Sequence, residues 1–207
     1  MLAKQQSKTP IIRGGAMIME GGELTSLETK KLLKASYEPD KLDLEGWQLD
    51  KELSSGKNNV FTKINSNMAV VSVAGTSDLK DWYYNTVYAV GGNKAYKKTQ
   101  RFKSAKIVYD KAVNKYGKEN ITLLGHSQGG MAVSLLGSNE NDDIITYNRA
   151  TAPGVKNVTK TNQSDIRTKN DLVSAFNSKG LNEEKAKSKW NINPVFNHSV
   201  NRLKKKN

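Results

Sequence analysis

Cysteine is absent from the 207 residues, which excludes disulfides, thiolate metal ligands and a thiol nucleophile and leaves packing to hold the fold. Long apolar runs are absent too, and a bilayer crossing needs roughly 18 or more such residues. The opening segment Met1-Leu2-Ala3-Lys4-Gln5-Gln6 lacks the apolar stretch of a secretory signal. The expectation is a protein without a membrane span, cytoplasmic or virion-associated rather than secreted. Histidine is scarce, with only His126 and His198 available for imidazole chemistry. No cluster of metal-ligand residue types stands out, and the chemistry read below requires neither metal nor cofactor.

Apolar residues make up 36% of the chain, lean for a single domain of this length, and Lys plus Arg outnumber Asp plus Glu by 33 to 20. The net charge of +13 comes mostly from Lys, which favours diffuse attraction to anions over bidentate reading of bases or phosphates. No aromatic-basic motif supports nucleic-acid binding. A helix face with Lys97, Lys98, Arg101, Lys106 and Lys115, together with Arg202 and Lys204 to Lys206, would draw the protein toward anionic membrane at about 1 kcal/mol per well-placed Lys. A solvated surface accounts for the same residues equally well.

Residues 1–23 carry little apolar periodicity and read as a flexible tail, 24–203 as one domain, and 204–207 as a basic tail. Thr25-Ser26-Leu27-Glu28 has the form of a capping box, followed by Leu32, Leu33 and Tyr37 on one helical face. Alternating stretches between Trp47 and Ile64 flank Ser54 to Asn59 and predict an antiparallel hairpin at a sheet edge. Met68 to Val73 is nearly continuous in apolar residues, as are Ile121 to Leu124 and Ile144 to Tyr147, which predicts strands covered on both faces. Between the first two, Phe102, Ala105, Tyr109, Ala112 and Tyr116 recur at helical spacing. Strand, helix, strand, helix, strand in this order predicts an α/β fold with a mostly parallel sheet and helices on both faces.

The chemistry centres on Gly125-His126-Ser127-Gln128-Gly129, a G-x-S-x-G pentapeptide between an apolar strand and a small-residue helix start. A serine on such a turn is pushed clear of the backbone, and the flanking glycines let chain segments pass without clash. The following helix aims its amino-terminal dipole and the Gln128 amide at the point where negative charge grows during acyl transfer. His126 sits inside the elbow facing away from its neighbour, which leaves His198 as the base. The orienting carboxylate must come from between them, where Asp142, Asp143, Asp165 and Asp171 compete, with Glu140, Glu183 and Glu184 as outsiders. Asp171 follows the short strand Asp165 to Thr168, where a triad acid should emerge, and Asp165 is the runner-up.

These residues resemble the class 3 lipase family of α/β-hydrolases through Gly75-Thr76-Ser77 with Asp81-Trp82, Gly125 to Gly130, Arg167 to Val173, and the late His198. The resemblance spans roughly 65–200. It implies an α/β-hydrolase fold, with Ser127 as nucleophile, Asp171 as acid and His198 as base, acting through an acyl-enzyme on a carboxylic ester, a lipid in particular. Thr76 matches the hydroxyl residue that completes the family's oxyanion hole beside Gln128. The family's lid segment corresponds to 81–92, where Trp82, Tyr83, Tyr84 and Tyr88 would wall the acyl pocket; ordinary core packing of these rings is the alternative. Ala74 stands where the family has Arg, and Gln128 where Leu is common.

Two other functions stay open at the level of sequence: a hydrolase-fold binding module without activity, and a basic virion-associated protein binding anionic lipid or nucleic acid. The second draws on Ile12-Arg13-Gly14-Gly15 and Met19-Glu20-Gly21-Gly22, which resemble the cleavage pattern of adenovirus-type maturation proteases.

Overall fold

The computed structural model describes residues 11–13, 16–18, 24–76, 92–138, 143–151, 160–168 and 183–186. Among the described residues the first helix, α1 (Ser26–Ala35), begins at the capping box read from the sequence: the Thr25 backbone N–H donates to Glu28 Oε2 at 2.8 Å and the Glu28 N–H donates to Thr25 Oγ1 at 3.2 Å. The same carboxylate accepts from the Trp47 indole at 3.0 Å and from Lys63 Nζ at 3.3 Å. One glutamate therefore closes the helix start and ties it to the sheet edge.

Seven strands form the main sheet in sequential order: β3 (Trp47–Leu49), β4 (Asn58–Lys63), β5 (Ala69–Val73), β6 (Ile121–His126), β7 (Asp143–Tyr147), β8 (Gln163–Thr168) and β9 (Glu183–Ala186). The pair β3–β4 is antiparallel, as the hairpin pattern predicts, β4–β5 is antiparallel as well, and every pair from β5 to β9 is parallel. The connections carry α2 (Gly92–Lys98), α3 (Gln100–Tyr116) and α4 (Gln128–Leu136).

Strand alternation sorts the apolar residues into two cores. Ala69, Val71, Val73, Ile121 and Leu123 pack with Phe102, Ala105, Tyr109 and Ala112 of α3 and with Ala132 and Val133 of α4. On the other face Val70, Leu124, Ile145 and Tyr147 pack with Leu32 and Leu33 of α1. Both leucines are fully buried, and each such side chain contributes roughly 1.5–3 kcal/mol on leaving water. The result is a sheet with helices on both faces.

Within residues 1–23, β1 (Ile11–Arg13) pairs antiparallel with β2 (Ala16–Ile18) in a two-stranded sheet separate from the main one; short apolar runs flanking Gly14-Gly15 suit a hairpin. Several basic side chains of α3 have partners. Arg101 turns inward to donate to the Ala74 carbonyl, Lys106 pairs with Asp110 at 2.6 Å, and Lys115 pairs with Asp50 at 2.7 Å. Among the described residues no helix is long and apolar enough to cross a membrane, and no cluster could hold a metal ion.

Candidate active site at the end of the parallel strands

The parallel register aligns Val73 of β5 with Gly125 of β6, so both strands deliver their next residues to the same edge of the sheet. From β6 the chain passes through Ser127 directly into α4. Ser127 has φ 57° and ψ −124°, a region that costs a non-glycine residue about 1–3 kcal/mol and persists only where surroundings enforce it. They do so here through the backbone. The Ser127 N–H donates to the Tyr147 carbonyl at 3.1 Å, while its carbonyl accepts from Ala150 at 3.0 Å and from Met131 at 3.2 Å.

The flanking glycines are needed for close approach. A Cβ on Gly125 would lie 2.5 Å from the Gly129 carbonyl oxygen. One on Gly129 would overlap the Val73 carbonyl and stand 2.8 Å from that of Ala74. The first turn of α4 is thereby pressed against the end of β5, which brings the elbow beside the segment Ala74-Gly75-Thr76.

That segment is held from three directions. Ala74 donates its N–H to the Lys57 carbonyl at 2.9 Å, its own carbonyl accepts from Arg101 of α3, and the Gly75 N–H donates to Tyr37 Oη at 2.8 Å. A Cβ on Gly75 would come within 2.9 Å of Ser127 Cβ, so Thr76 follows immediately after the point of contact with the elbow. Among the described residues, Ser127 Oγ and Thr76 Oγ1 are both buried with no hydrogen-bond partner. Buried hydroxyls are seldom left so, and Ser72, Ser134 and Thr151 share this state among the described residues. The Gln128 N–H, at the first position of α4, has no acceptor within its own helix.

The other histidine is occupied. His126 Nδ1 lies 2.5 Å from Tyr37 Oη, and its ring stacks on Tyr147 with centroids 5.6 Å apart. Burial pushes the Tyr37 hydroxyl up, to about 12, against the Gly75 hydrogen bond and the Arg101 charge, which pull it down.

Thus the sequence-predicted Ser127, Gln128 and Thr76 meet at one edge. Asp171, His198, Trp82, Tyr83, Tyr84 and Tyr88 lie outside the described residues, as do Asp142 and Glu140. Asp165 sits within β8, where it pairs with Arg149 at 2.8 Å and accepts from Thr146 Oγ1 at 2.5 Å and Gln163 Nε2 at 2.8 Å. Its carboxylate is committed to the interior. Asp143 opens β7, in register with Thr122 near the start of β6, at the edge opposite Ser127. Glu183 and Glu184 lie on the outermost strand, β9, in register with Asp165 and Ile166. Tyr37 and Arg101 are the contributors that sequence reading misses. Both read locally as helix-face residues, and nothing near them in the chain points to Gly75 or Ala74.

No known protein family and no curated protein matches the sequence. Solved structures do match. A lipase from Rhizopus microsporus var. chinensis aligns at 14% identity with a TM-score of 0.51, over 74% of this chain and 68% of that one. The Rhizomucor miehei lipase, solved with its propeptide, aligns at 14% identity with a TM-score of 0.50, over 73% of this chain and 62% of that one. This chain therefore spans less than two thirds of the second lipase's length. The likeness is one of fold: the sheet and its two helical layers are lipase-like, consistent with the α/β-hydrolase architecture.

Proposed function

We propose that this protein is a serine hydrolase that cleaves carboxylic esters through an acyl-enzyme on Ser127. The observation that carries the reading is the strained, glycine-flanked elbow, with a buried hydroxyl that has no partner among the described residues, beside a second such hydroxyl on Thr76. In this reading His198 takes the proton from Ser127 Oγ as the oxygen attacks the ester carbonyl carbon. Thr76 and the Gln128 N–H receive the charge that develops on the carbonyl oxygen. The tetrahedral species collapses, the ester C–O bond breaks, and the alcohol leaves with the proton held by His198. Water, deprotonated by the same imidazole, then releases the acid and restores Ser127.

Asp171 is the preferred orienting acid, because Asp165 is spent on Arg149 and Asp143 stands at the far edge. Lipid esters are the preferred substrates. The lipase-like fold supports this, as do the aromatic residues Trp82, Tyr83, Tyr84 and Tyr88 between Thr76 and α2. A net charge of +13 suits peripheral contact with anionic membrane.

Labelling by a fluorophosphonate, with turnover of short and long acyl esters, tests the reading. Wild-type protein should label and turn over, and Ser127→Ala should do neither. Labelling that survives Ser127→Ala removes Ser127 as nucleophile. Absence of both activities in wild-type protein leaves a binding module on a hydrolase fold.

A further inference from the structure

We propose that Tyr37 and His126 form a positioning pair that sets the oxyanion segment Gly75-Thr76 against the elbow. The inference rests on the hydrolase reading above and assigns the second histidine a task in the reaction other than proton transfer to or from Ser127.

The geometry begins at the end of α1. Tyr37, two residues past the helix, reaches the carboxyl edge of β5 and β6 with its hydroxyl. There Oη accepts the Gly75 N–H at 2.8 Å and faces His126 Nδ1 at 2.5 Å. Gly75 makes the approach possible, since a Cβ there would lie 2.6 Å from Oη. A phenol has one proton and two lone pairs. Among the described residues the acceptor within reach of that proton is His126 Nδ1, and the tyrosine keeps its proton at neutral pH. In the proposed arrangement Tyr37 donates to Nδ1, the role that leaves the His126 ring proton on Nε2.

Two consequences follow for the oxyanion site. The Gly75 N–H is consumed by Tyr37, so it does not compete with Thr76 for the developing charge. The chain of bonds Gly75 N–H to Tyr37 to His126 also links the end of β5 to the residue immediately before Ser127. The Tyr37 hydroxyl thus links the two halves of the site, Thr76 after one strand and Ser127 with Gln128 after the next, in addition to the close packing of Gly129 on Val73. Backbone pairing cannot do this at that point, because the parallel ladder between β5 and β6 ends at Val73 and Gly125. Preorganised donors stabilise a transition state only while they stay aimed at the oxyanion, so loss of this link should appear in the chemical step.

The test compares Tyr37→Phe, His126→Asn, His126→Leu and the Tyr37→Phe/His126→Leu double variant with wild-type full-length protein. Hydrolysis of p-nitrophenyl butyrate is measured per active site, with fluorophosphonate titration supplying the active fraction. Tyr37→Phe should lower kcat roughly ten- to a hundredfold, with KM within about twofold, the pattern of an interaction felt in the transition state. Binding of phenylboronic acid, which mimics the tetrahedral species, should weaken by a similar factor. His126→Asn keeps an acceptor oxygen near Nδ1 and should retain kcat within about threefold, whereas His126→Leu should fall as far as Tyr37→Phe. The double variant should be no slower than the worse single one.

A merely structural role would lower the titrated fraction and leave kcat per site and boronate affinity unchanged; that result, or additive losses in the double variant, overturns the proposal. Wild-type protein that neither labels nor hydrolyses ester removes the hydrolase reading and this inference together. Active wild-type protein with an equally fast Tyr37→Phe removes this inference alone.

Discussion

Asp165 and Arg149 form an ion pair of 2.8 Å whose side chains are only 3% and 4% exposed. It joins β8 to the residues that follow β7, and Thr146 and Gln163 fill further positions around the same carboxylate. Breaking a buried pair by removing one charge leaves the other uncompensated and typically costs about 3 kcal/mol. Asp165→Asn should therefore lower the free energy of unfolding by about 3 kcal/mol, measured by urea titration, and leave kcat per titrated active site unchanged. Asp171→Asn should do the reverse. A large loss of kcat per site in Asp165→Asn would return Asp165 to the triad.

Gly129 is the tightest point of the elbow, since a Cβ there would overlap the Val73 carbonyl. Backbone cannot move aside as a flexible side chain can. Gly129→Ala should displace α4 from β5, at a cost of about 3 kcal/mol in stability, and abolish fluorophosphonate labelling. Gly46→Ala is the control: its φ is 79°, but nothing lies within 4 Å of the added carbon, so it should lose about 1 kcal/mol of stability and keep full labelling.

The unpaired Thr76 hydroxyl separates function from fold. Its Oγ1 is buried with no partner among the described residues, so removing it breaks no hydrogen bond among them. Thr76→Val should fold with unchanged or slightly raised melting temperature, yet lose roughly a hundredfold in kcat, as expected for one oxyanion donor. Thr76→Ser should retain most of the activity. Equal kcat for Thr76→Val and wild type would exclude the hydroxyl from the oxyanion site.

Glu28 supplies a pH-dependent contribution to stability. Burial pushes its carboxyl up, but hydrogen bonds from Thr25 and Trp47 and the Lys63 charge outweigh it and hold the folded value below the ordinary 4.5. A depressed carboxylate contributes stability that is fully present above its unfolded pKa and is lost as pH falls through the folded one. Glu28→Gln should cost about 1 kcal/mol at pH 7 and converge on wild type in acid, below the folded value. A gap that stays constant across that range would mean the charge contributes nothing.

Much of this architecture is legible in the chain because local chemistry and tertiary context agree. Thr25 and Glu28 form a cap wherever their helix starts. The unbroken apolar runs in β5, β6 and β7 can be satisfied only by burial on both faces. Gly125, Ser127 and Gly129 describe a strand-to-helix elbow in five residues. Other elements carry no such signal. Glu183-Glu184-Lys185-Ala186 has the composition of an exposed helix, yet forms the edge strand β9, because pairing with β8 supplies the backbone hydrogen bonds that propensity does not foretell. Position along the chain offers both Asp165 and Asp171 as acids, and it does not foretell that the Asp165 carboxylate is buried against Arg149.

Sequence by itself determined the elbow at Ser127, the helix cap at Thr25 and the order of strands and helices from β5 to β7 around α3 and α4, since each depends on residues close together in the chain. Tertiary structure decided what those features face. Tyr37 lies 89 residues from His126, and Arg101 lies 27 from Ala74, so no periodicity or motif could pair them. Their roles arise where β5, β6, α1 and α3 converge, and a hydrogen bond is set by that convergence in space rather than by separation along the chain.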